Sequence, residues 1–522
     1  MNPEDSSLPA VNPWLIAISV MLATFMEVLD TAIANVSLPH IAGSLSASTD
    51  EVTWVVTSYL VSNAIVLPAS AWFSRYFGRK RFLLACIMIF TTSSFLCGAA
   101  PTLGLLVVAR ILQGAGGGAL QPLAQSIMLE SFPAAKRGTA MAFYVVGVIF
   151  APIVGPVLGG WITDNYDWRW IFYINIPVGI LAVTMIRRFV HDPAHIRDSK
   201  PGRIDAVGFG LMAVGLATLQ IILDKGQEDD WFAADWIRVF AGISVVSLVA
   251  FIWWELRQKH PIVDLRVFQN RNFAVGTFLI TIAGFAVYVP LTLLPEFLQN
   301  LLGYTAQQSG LAQSSRGVGV LLLTFVAGYL TTRMDSRKLI ALGFCVNAAA
   351  IFWLSHLNLD ITGRNVAWPN FLQGLGMAMV FVPLTTTTMS MLRNSQLGNG
   401  AGFYNLMRNL GASVGISLAT TMVARHAQAH QVALVAHATP FDAAYQQRVQ
   451  ALNSALGQPG GDWGQTASPA LANIYHTIVT QATTMAYADV FRWLALLCLV
   501  CMPVVILLKR VKGRRPAAAA AH

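Results

Sequence analysis

Gly147-Val148-Ile149-Phe150-Ala151-Pro152-Ile153-Val154-Gly155-Pro156-Val157-Leu158-Gly159-Gly160 carries no charge and no hydrogen-bonding side chain. It lies inside an apolar run from 138 to 163, long enough to cross a bilayer, which takes about 20 helical residues. Gly147, Ala151, Gly155 and Gly159 recur every four residues and make one ridge of small side chains; Pro152 and Pro156 repeat that spacing beside it. Such ridges let membrane helices approach closely. Proline removes a helical hydrogen bond and bends the helix, which neighbouring helices in a membrane accommodate. The stretch reads as a bent, tightly packed transmembrane helix.

Runs of this kind recur along the chain. Of its 522 residues 55% are hydrophobic and 11% charged, against roughly 25% charged in soluble domains. Spans are expected near 14–36, 53–73, 82–100, 103–129, 138–163, 169–187, 204–224, 236–256, 273–300, 306–330, 338–357, 367–391, 398–424 and 488–508, which makes an all-α integral membrane protein of fourteen helices. The segment before Trp14 holds Glu4 and Asp5 but no Lys or Arg, unlike a signal peptide, so helix 1 is expected to stay in the mature protein.

The net charge of +9 marks topology rather than a nucleic-acid partner. Twenty-four of the 34 Lys and Arg residues fall in alternate loops, among them Arg75, Arg79, Lys80, Arg81, Lys136, Arg137, the run 187–203 and the run 509–515. The opposite loops hold about six, together with Asp224, Glu228, Asp229, Asp230 and Asp235. By the positive-inside rule both termini are expected in the cytoplasm. All five cysteines lie within expected spans, and Cys498-x-x-Cys501, with no second pair and no His nearby, reads as two small apolar side chains.

The chain repeats internally. Leu112-Gln113-Gly114-Ala115-Gly116 returns as Leu372-Gln373-Gly374-Leu375-Gly376, an offset of 260. At the same offset Phe143-Tyr144 matches Phe403-Tyr404, Ala151 matches Gly411 and Gly155 matches Gly415; Leu38-Pro39 returns at Leu294-Pro295, an offset of 256. Three units follow: a six-helix bundle over 1–190, an inserted helix pair over 191–270, and a second six-helix bundle over 271–522. Parallel repeats are one architecture in which transporters place a midplane site between the repeats. A long external loop is expected over about 425–487, with helical pieces at 444–456 and 468–487 and a turn at Gln458-Pro459-Gly460-Gly461-Asp462. In it His426 and His430 stand four apart, but the sequence identifies no third ligand and no metal is expected.

Few charges interrupt the spans: Glu27, Asp30, Arg110, Glu296, Arg316 and Arg408. An ionisable group at mid-bilayer costs roughly 2.5–3.5 kcal/mol on insertion scales, so each should face a partner or a water-filled cavity. Glu27 and Asp30 share a helix face. A carboxyl there can change protonation as the cavity changes side; a fixed Asp–Arg bond locking two helices is the alternative.

Gly155-Pro156-x-x-Gly159-Gly160 resembles the antiporter motif of exporters in the major facilitator superfamily, and Leu29-Asp30-Thr31-x-Ile33-x-Asn35-Val36-x-Leu38-Pro39 resembles the helix-1 signature of its fourteen-helix drug:H+ antiporters. Arg110-x-x-Gln113-Gly114 is similar to the motif whose Arg is linked to proton transfer, and Trp168-Arg169-Trp170-Ile171-Phe172-x-Ile174-Asn175-x-Pro177 also matches that family. The likeness is to the EmrB/QacA type, closest to EmrB-type inner-membrane pumps. Ala142 and Ala151 replace earlier glycines of the motif. In the gating loop Gly78-Arg79-Lys80 is intact, but Arg75 stands where the superfamily usually has Asp and Ala71 where it has Gly.

The resemblance implies a major facilitator fold and proton-coupled export of hydrophobic or amphipathic toxic compounds from a bacterial inner membrane. It implies no cofactor beyond the proton gradient. The expected coupling residues are Asp30 foremost, then Glu27, Arg110 and Glu296. Tyr144, Tyr288, Phe403, Tyr404, Gln113 and Arg408 are candidates for the substrate cavity. The expected partners are a periplasmic adaptor (EmrA type) and an outer-membrane channel (TolC type). A nutrient symporter on the same fold, and a channel or receptor, are the alternatives. No nucleophile–base pair points to an enzyme.

Overall fold

Backbone polar groups within a bilayer must be satisfied inside the chain, so long apolar runs become helices. A computed structural model describes residues 12–133, 136–192, 205–259, 261–439, 441–455 and 469–509, and no strand occurs among them. The long helices are α1 (Pro13–Leu45), α2 (Trp54–Phe77), α3 (Arg79–Ala99), α4 (Leu103–Ser131), α5 (Arg137–Asn165), α6 (Trp170–Phe189), α7 (Ala206–Lys225), α8 (Asp235–Arg257), α9 (Arg271–Glu296), α10 (Ala306–Arg333), α11 (Ser336–Leu354), α12 (Gly363–Met389), α13 (Asn394–Val435) and α14 (Pro469–Val504). The turn expected at 458–462 and the basic residues of 193–203 and 510–515 lie outside the described residues.

Among the described residues thirteen helices are long and apolar enough to cross a membrane. The thirteenth expected span, 398–424, falls in α13, a helix of 42 residues that is too polar to qualify on composition. It packs against α2, α4, α9 and α14, so its Asn405 and Arg408 are buried among protein rather than lipid. The piece expected at 468–487 and the span expected at 488–508 form one continuous α14 of 36 residues. At about 1.5 Å per residue, α13 and α14 are each far longer than the roughly 30 Å apolar core of a bilayer. The expected loop is thus largely helical, with a short helix Ala443–Ala455 between them.

Polarity is turned outside in. On α8, Ser244 and Ser247 are buried while Val245, Val246 and Val249 are exposed, as lipid contact requires.

The sequence repeat has a counterpart in packing. α5 packs on α1 as α13 packs on α9, and α4 packs on α2 as α12 packs on α10. A Cβ on Gly114 would meet Tyr59 and Ser62 of α2; on Gly374 it would meet the Arg316 carbonyl of α10. α4 breaks between Gly117 and Leu120, where a Cβ on Gly118 would run into the Asn63 backbone. Helices α1–α6 and α9–α14 meet along α5–α10 and along α2–α13. At the second seam α7 joins both sides: Gln220 donates to Ser413 on α13 at 3.1 Å, Asp224 accepts from Thr57 of α2, and Lys225 donates to Thr53 just before α2.

Candidate functional site

The middle of α1 carries two buried carboxylates, Glu27 (3% exposed) and Asp30 (2%). Three residues apart, they sit in separate nests. Asp30 accepts from Arg110 Nη1 at 2.6 Å, from Asn175 at 2.6 Å and from Gln113 at 2.9 Å. Arg110 also donates to the Val55 carbonyl at 2.9 Å and to Gln113 Oε1 at 2.8 Å. Asp30–Arg110 is a buried ion pair whose carboxylate takes two further hydrogen bonds, the support that makes such pairs tolerable, while Arg110 Nη2 has no hydrogen-bond partner.

Glu27 is held by neutral groups alone: Gln121 Nε2 at 2.7 Å, and Tyr59 Oη and Asn63 Nδ2 at 3.2 Å each. Tyr59 joins the two nests, since its ring lies 4.3 Å from the Arg110 guanidinium while its hydroxyl donates to Glu27.

The Gln121 side chain continues across the seam: its carbonyl accepts from Arg408 Nη2 on α13. One turn away Asn405 donates to Gln125 at 2.6 Å. Arg408 then opens onto a cavity between the two sets of helices. Val148, Ile149, Pro152 and Ile153 of α5 form one wall; Val287, Tyr288 and Leu291 of α9, Met377 and Phe381 of α12, and Arg316 and Arg408 complete it.

Both arginines have unused capacity. Arg316, 1% exposed, donates one bond to Asn370 at 2.5 Å, and its Nε and Nη1 have no partner; Arg408 Nε has none either. Among the described residues no carboxylate lies within ion-pair distance of either. Gln113 donates to Asp30, while its counterpart Gln373 donates to the backbone carbonyl of Ala286 at 3.3 Å. The counterpart of Arg110 at the same offset is Asn370, which accepts from Arg316. The C-terminal helices bury the Arg316 guanidinium next to an apolar cavity.

The motif ridge faces α1: a Cβ on Gly147 would meet Met21, on Gly155 Ala32 and on Gly159 Ile33, whereas Gly160 has open space. The other side of α5 meets Gly310, Gly317 and Gly328 of α10. Ala142 and Ala151 are fully buried along this helix. Pro152 alone of the motif prolines lines the cavity.

Of the expected aromatic lining, Tyr288 is on the cavity wall. Tyr144 reaches Asn405 at 3.5 Å, Tyr404 bonds Thr385 at 2.8 Å, and Phe403 packs on Phe268. Glu296 ends α9 beside Tyr487, away from the α1 acids. Tyr59, Asn63, Gln121, Asn175 and Asn405, which complete the network, are neutral residues that no charge pattern singles out.

The gating loop forms a separate cluster. Gly78 has φ of 84° and ψ of 137°, a backbone conformation that glycine adopts readily and L-residues rarely do. Arg79 makes paired bonds of 2.9 Å to Glu130, and the Lys80 amide donates to Asp192 at 2.7 Å. Arg75 stands in the last turn of α2, with Asp264 of the segment that leads into α9 near enough to act on it electrostatically.

Comparison with known proteins adds identity of type. The family model of the Major Facilitator Superfamily matches residues 20–416. The chain is 40% identical to "Fatty acid resistance protein FarB" of Neisseria gonorrhoeae over 95% of this chain and 96% of that one. It is 37% identical to "Multidrug export protein EmrB" of Escherichia coli (strain K12) over 92% of each. A double-tryptophan mutant of XylE superposes with a TM-score of 0.61 at 17% identity, covering 96% of this chain and 97% of that one, which shows the fold.

Proposed function

The chain belongs to the Major Facilitator Superfamily, and from that premise we propose that it is a proton-driven efflux permease for hydrophobic and amphipathic compounds, acidic amphiphiles among them. The family is one of transporters rather than enzymes, and the relatives' names, multidrug export and fatty acid resistance, support the outward direction. The observation that carries the reading is the apolar cavity between the helix sets, interrupted by two guanidiniums, one joined through Gln121 to buried Glu27.

In the proposed cycle the two sets rock about this cavity. With Glu27 ionised, the Gln121 amide must point to it, so the Gln121 carbonyl points to Arg408 and holds the guanidinium in place for a substrate. A proton arriving from outside turns Glu27 into a donor. Its hydroxyl then competes for the Gln121 carbonyl, Arg408 is released, and the substrate leaves. Entry of that proton through a 100 mV potential contributes about 2.3 kcal/mol, plus the pH gradient. Asp30 and Arg110 tune this step through Tyr59, which puts Glu27 rather than Asp30 first among the coupling residues; Glu296 is peripheral.

The fourteen-span topology with cytoplasmic termini, the bacterial inner membrane and a tripartite assembly with a periplasmic adaptor and an outer-membrane channel belong to the same proposal. The helical projection of α13 and α14 is the natural docking element. Deleting residues 440–470 should abolish capture of the adaptor; unchanged capture sinks the docking role. Export is tested in inverted membrane vesicles with a lipophilic dye. Accumulation that stops when a proton ionophore collapses the gradient is expected, and accumulation indifferent to the ionophore contradicts proton coupling.

A further inference from the structure

Outside the central cavity, α13 and α14 meet at a second cluster. His426 and His430, one turn apart on α13, both face Asp489 of α14: His426 Nδ1 lies 3.3 Å and His430 Nε2 2.8 Å from the same oxygen, Oδ2. The ligand atoms of the three side chains all lie within 4.8 Å of one another. The second oxygen of Asp489 accepts from Arg492 Nη1 at 3.1 Å. The side chains are 34%, 26% and 23% exposed, so the cluster is formed within the helix pair yet open on one side.

Two imidazoles at i and i+4 on one helix face, with a carboxylate from an adjacent helix, are a recurring donor set for a divalent transition metal. Nitrogen donors favour zinc over the oxygen-seeking Mg2+ and Ca2+. The one carboxylate oxygen that both histidines approach is free of Arg492, which holds the other and orients the ligand as an outer partner does. The third ligand lies 59 residues beyond His430, which is why sequence spacing shows only two.

We propose that His426, His430 and Asp489 bind one zinc ion, with its fourth position left to water. The ion cross-links α13 to α14 at the root of their projection. α13 runs on to Val435 beyond the site, and α14 arrives from Pro469 before it. Without metal the same groups form a hydrogen-bonded His–Asp–His set, so the two states differ in whether the projecting helices are tied by a coordinate cross-link. The site is independent of the export reading and of its cavity.

The test uses the purified full-length chain without an affinity tag, in lipid nanodiscs, titrated calorimetrically with Zn2+ and optically with Co2+. Saturation at one ion per chain is expected, with the visible absorption of four-coordinate Co2+, which Zn2+ then displaces. His430→Gln and Asp489→Asn should weaken binding by more than the roughly 10–100-fold lost when an outer partner is removed, and Arg492→Gln should fall within that range. Size-exclusion chromatography checks that each variant is folded. No saturable binding by the unaltered chain, or binding by the folded His426→Gln and His430→Gln variants as tight as by the unaltered chain, overturns the proposal; the optical titration of the unaltered chain reads ligation without any variant.

Discussion

Glu27 on α1 and Arg408 on α13 share one side chain: the amide of Gln121 donates to Glu27 at 2.7 Å, and its carbonyl accepts from Arg408. A carboxylate and a guanidinium from different halves of the chain are thereby oriented by a single rotatable group. An amide has one donor end and one acceptor end, so an ionised Glu27, which only accepts, fixes the carbonyl end toward Arg408, and a protonated Glu27 no longer does.

Gln121→Ala removes that relay while leaving Asp30–Arg110 untouched. A hydrogen bond to a charged group is worth about 1.5–3 kcal/mol, so substrate-driven proton flux in proteoliposomes should fall at least about tenfold. Flux within twofold of the unaltered protein would show that the relay is not used.

The two acids should separate in stability measurements. Asp30→Asn leaves Arg110 buried without its countercharge, a loss of about 3–5 kcal/mol, and should lower the unfolding temperature markedly. The double variant Asp30→Asn/Arg110→Gln should recover most of it. Glu27→Gln keeps neutral partners around a neutral side chain and should change stability by less than about 1.5 kcal/mol. Thermal unfolding followed by tryptophan fluorescence in detergent gives both values; equal losses would contradict the two-nest arrangement.

Much of this was legible in the sequence because charge in an apolar span is conspicuous. Asp30, Glu27, Arg110, Arg316 and Arg408 each stood out, and the glycine ridge of α5 packs closely on α1. What connects them was not legible. Gln121, Asn63, Asn175 and Asn405 are ordinary neutral residues, and their importance comes from which helices meet. The sequence ends α13 near 424, short of Val435, because Arg425, His426, Gln428, His430 and Gln431 read as loop; its buried Asn405 and Arg408 are accounted for by the neighbouring helices. Asp489 was hidden because it is a partner supplied by the packing of α14 on α13.

Arg316 is expected to select charge. Arg316→Met removes a buried guanidinium with two unpaired N–H groups, and replacing uncompensated buried polarity by an apolar side chain is neutral or stabilising by about 1–4 kcal/mol. The variant should therefore fold at least as well while losing export of octyl sulfonate, a permanently charged anion, and keeping export of a matched alkyl trimethylammonium. Equal loss of both probes would remove the anion-binding role and leave general transport intact as a question.

The ridge of α5 can be tested by adding one methyl group. At Gly155 a Cβ would collide with Ala32 on α1, whereas at Gly160 nothing lies within 4 Å. Gly155→Ala should cost about 1–3 kcal/mol through overpacking, and Gly160→Ala should be close to neutral. Transport should follow the same order, because α5 is also the cavity wall.

Proton coupling through Glu27 is tested most directly in acid-loaded proteoliposomes with a pH dye inside, to which octyl sulfonate is added; the probe does not titrate and so carries no protons itself. The unaltered protein should alkalinise the lumen on addition of the probe, and Glu27→Gln should not, while still binding the probe by fluorescence quenching. A folded, probe-binding protein that moves no protons, or a Glu27→Gln variant that moves them at the unaltered rate, would contradict the account.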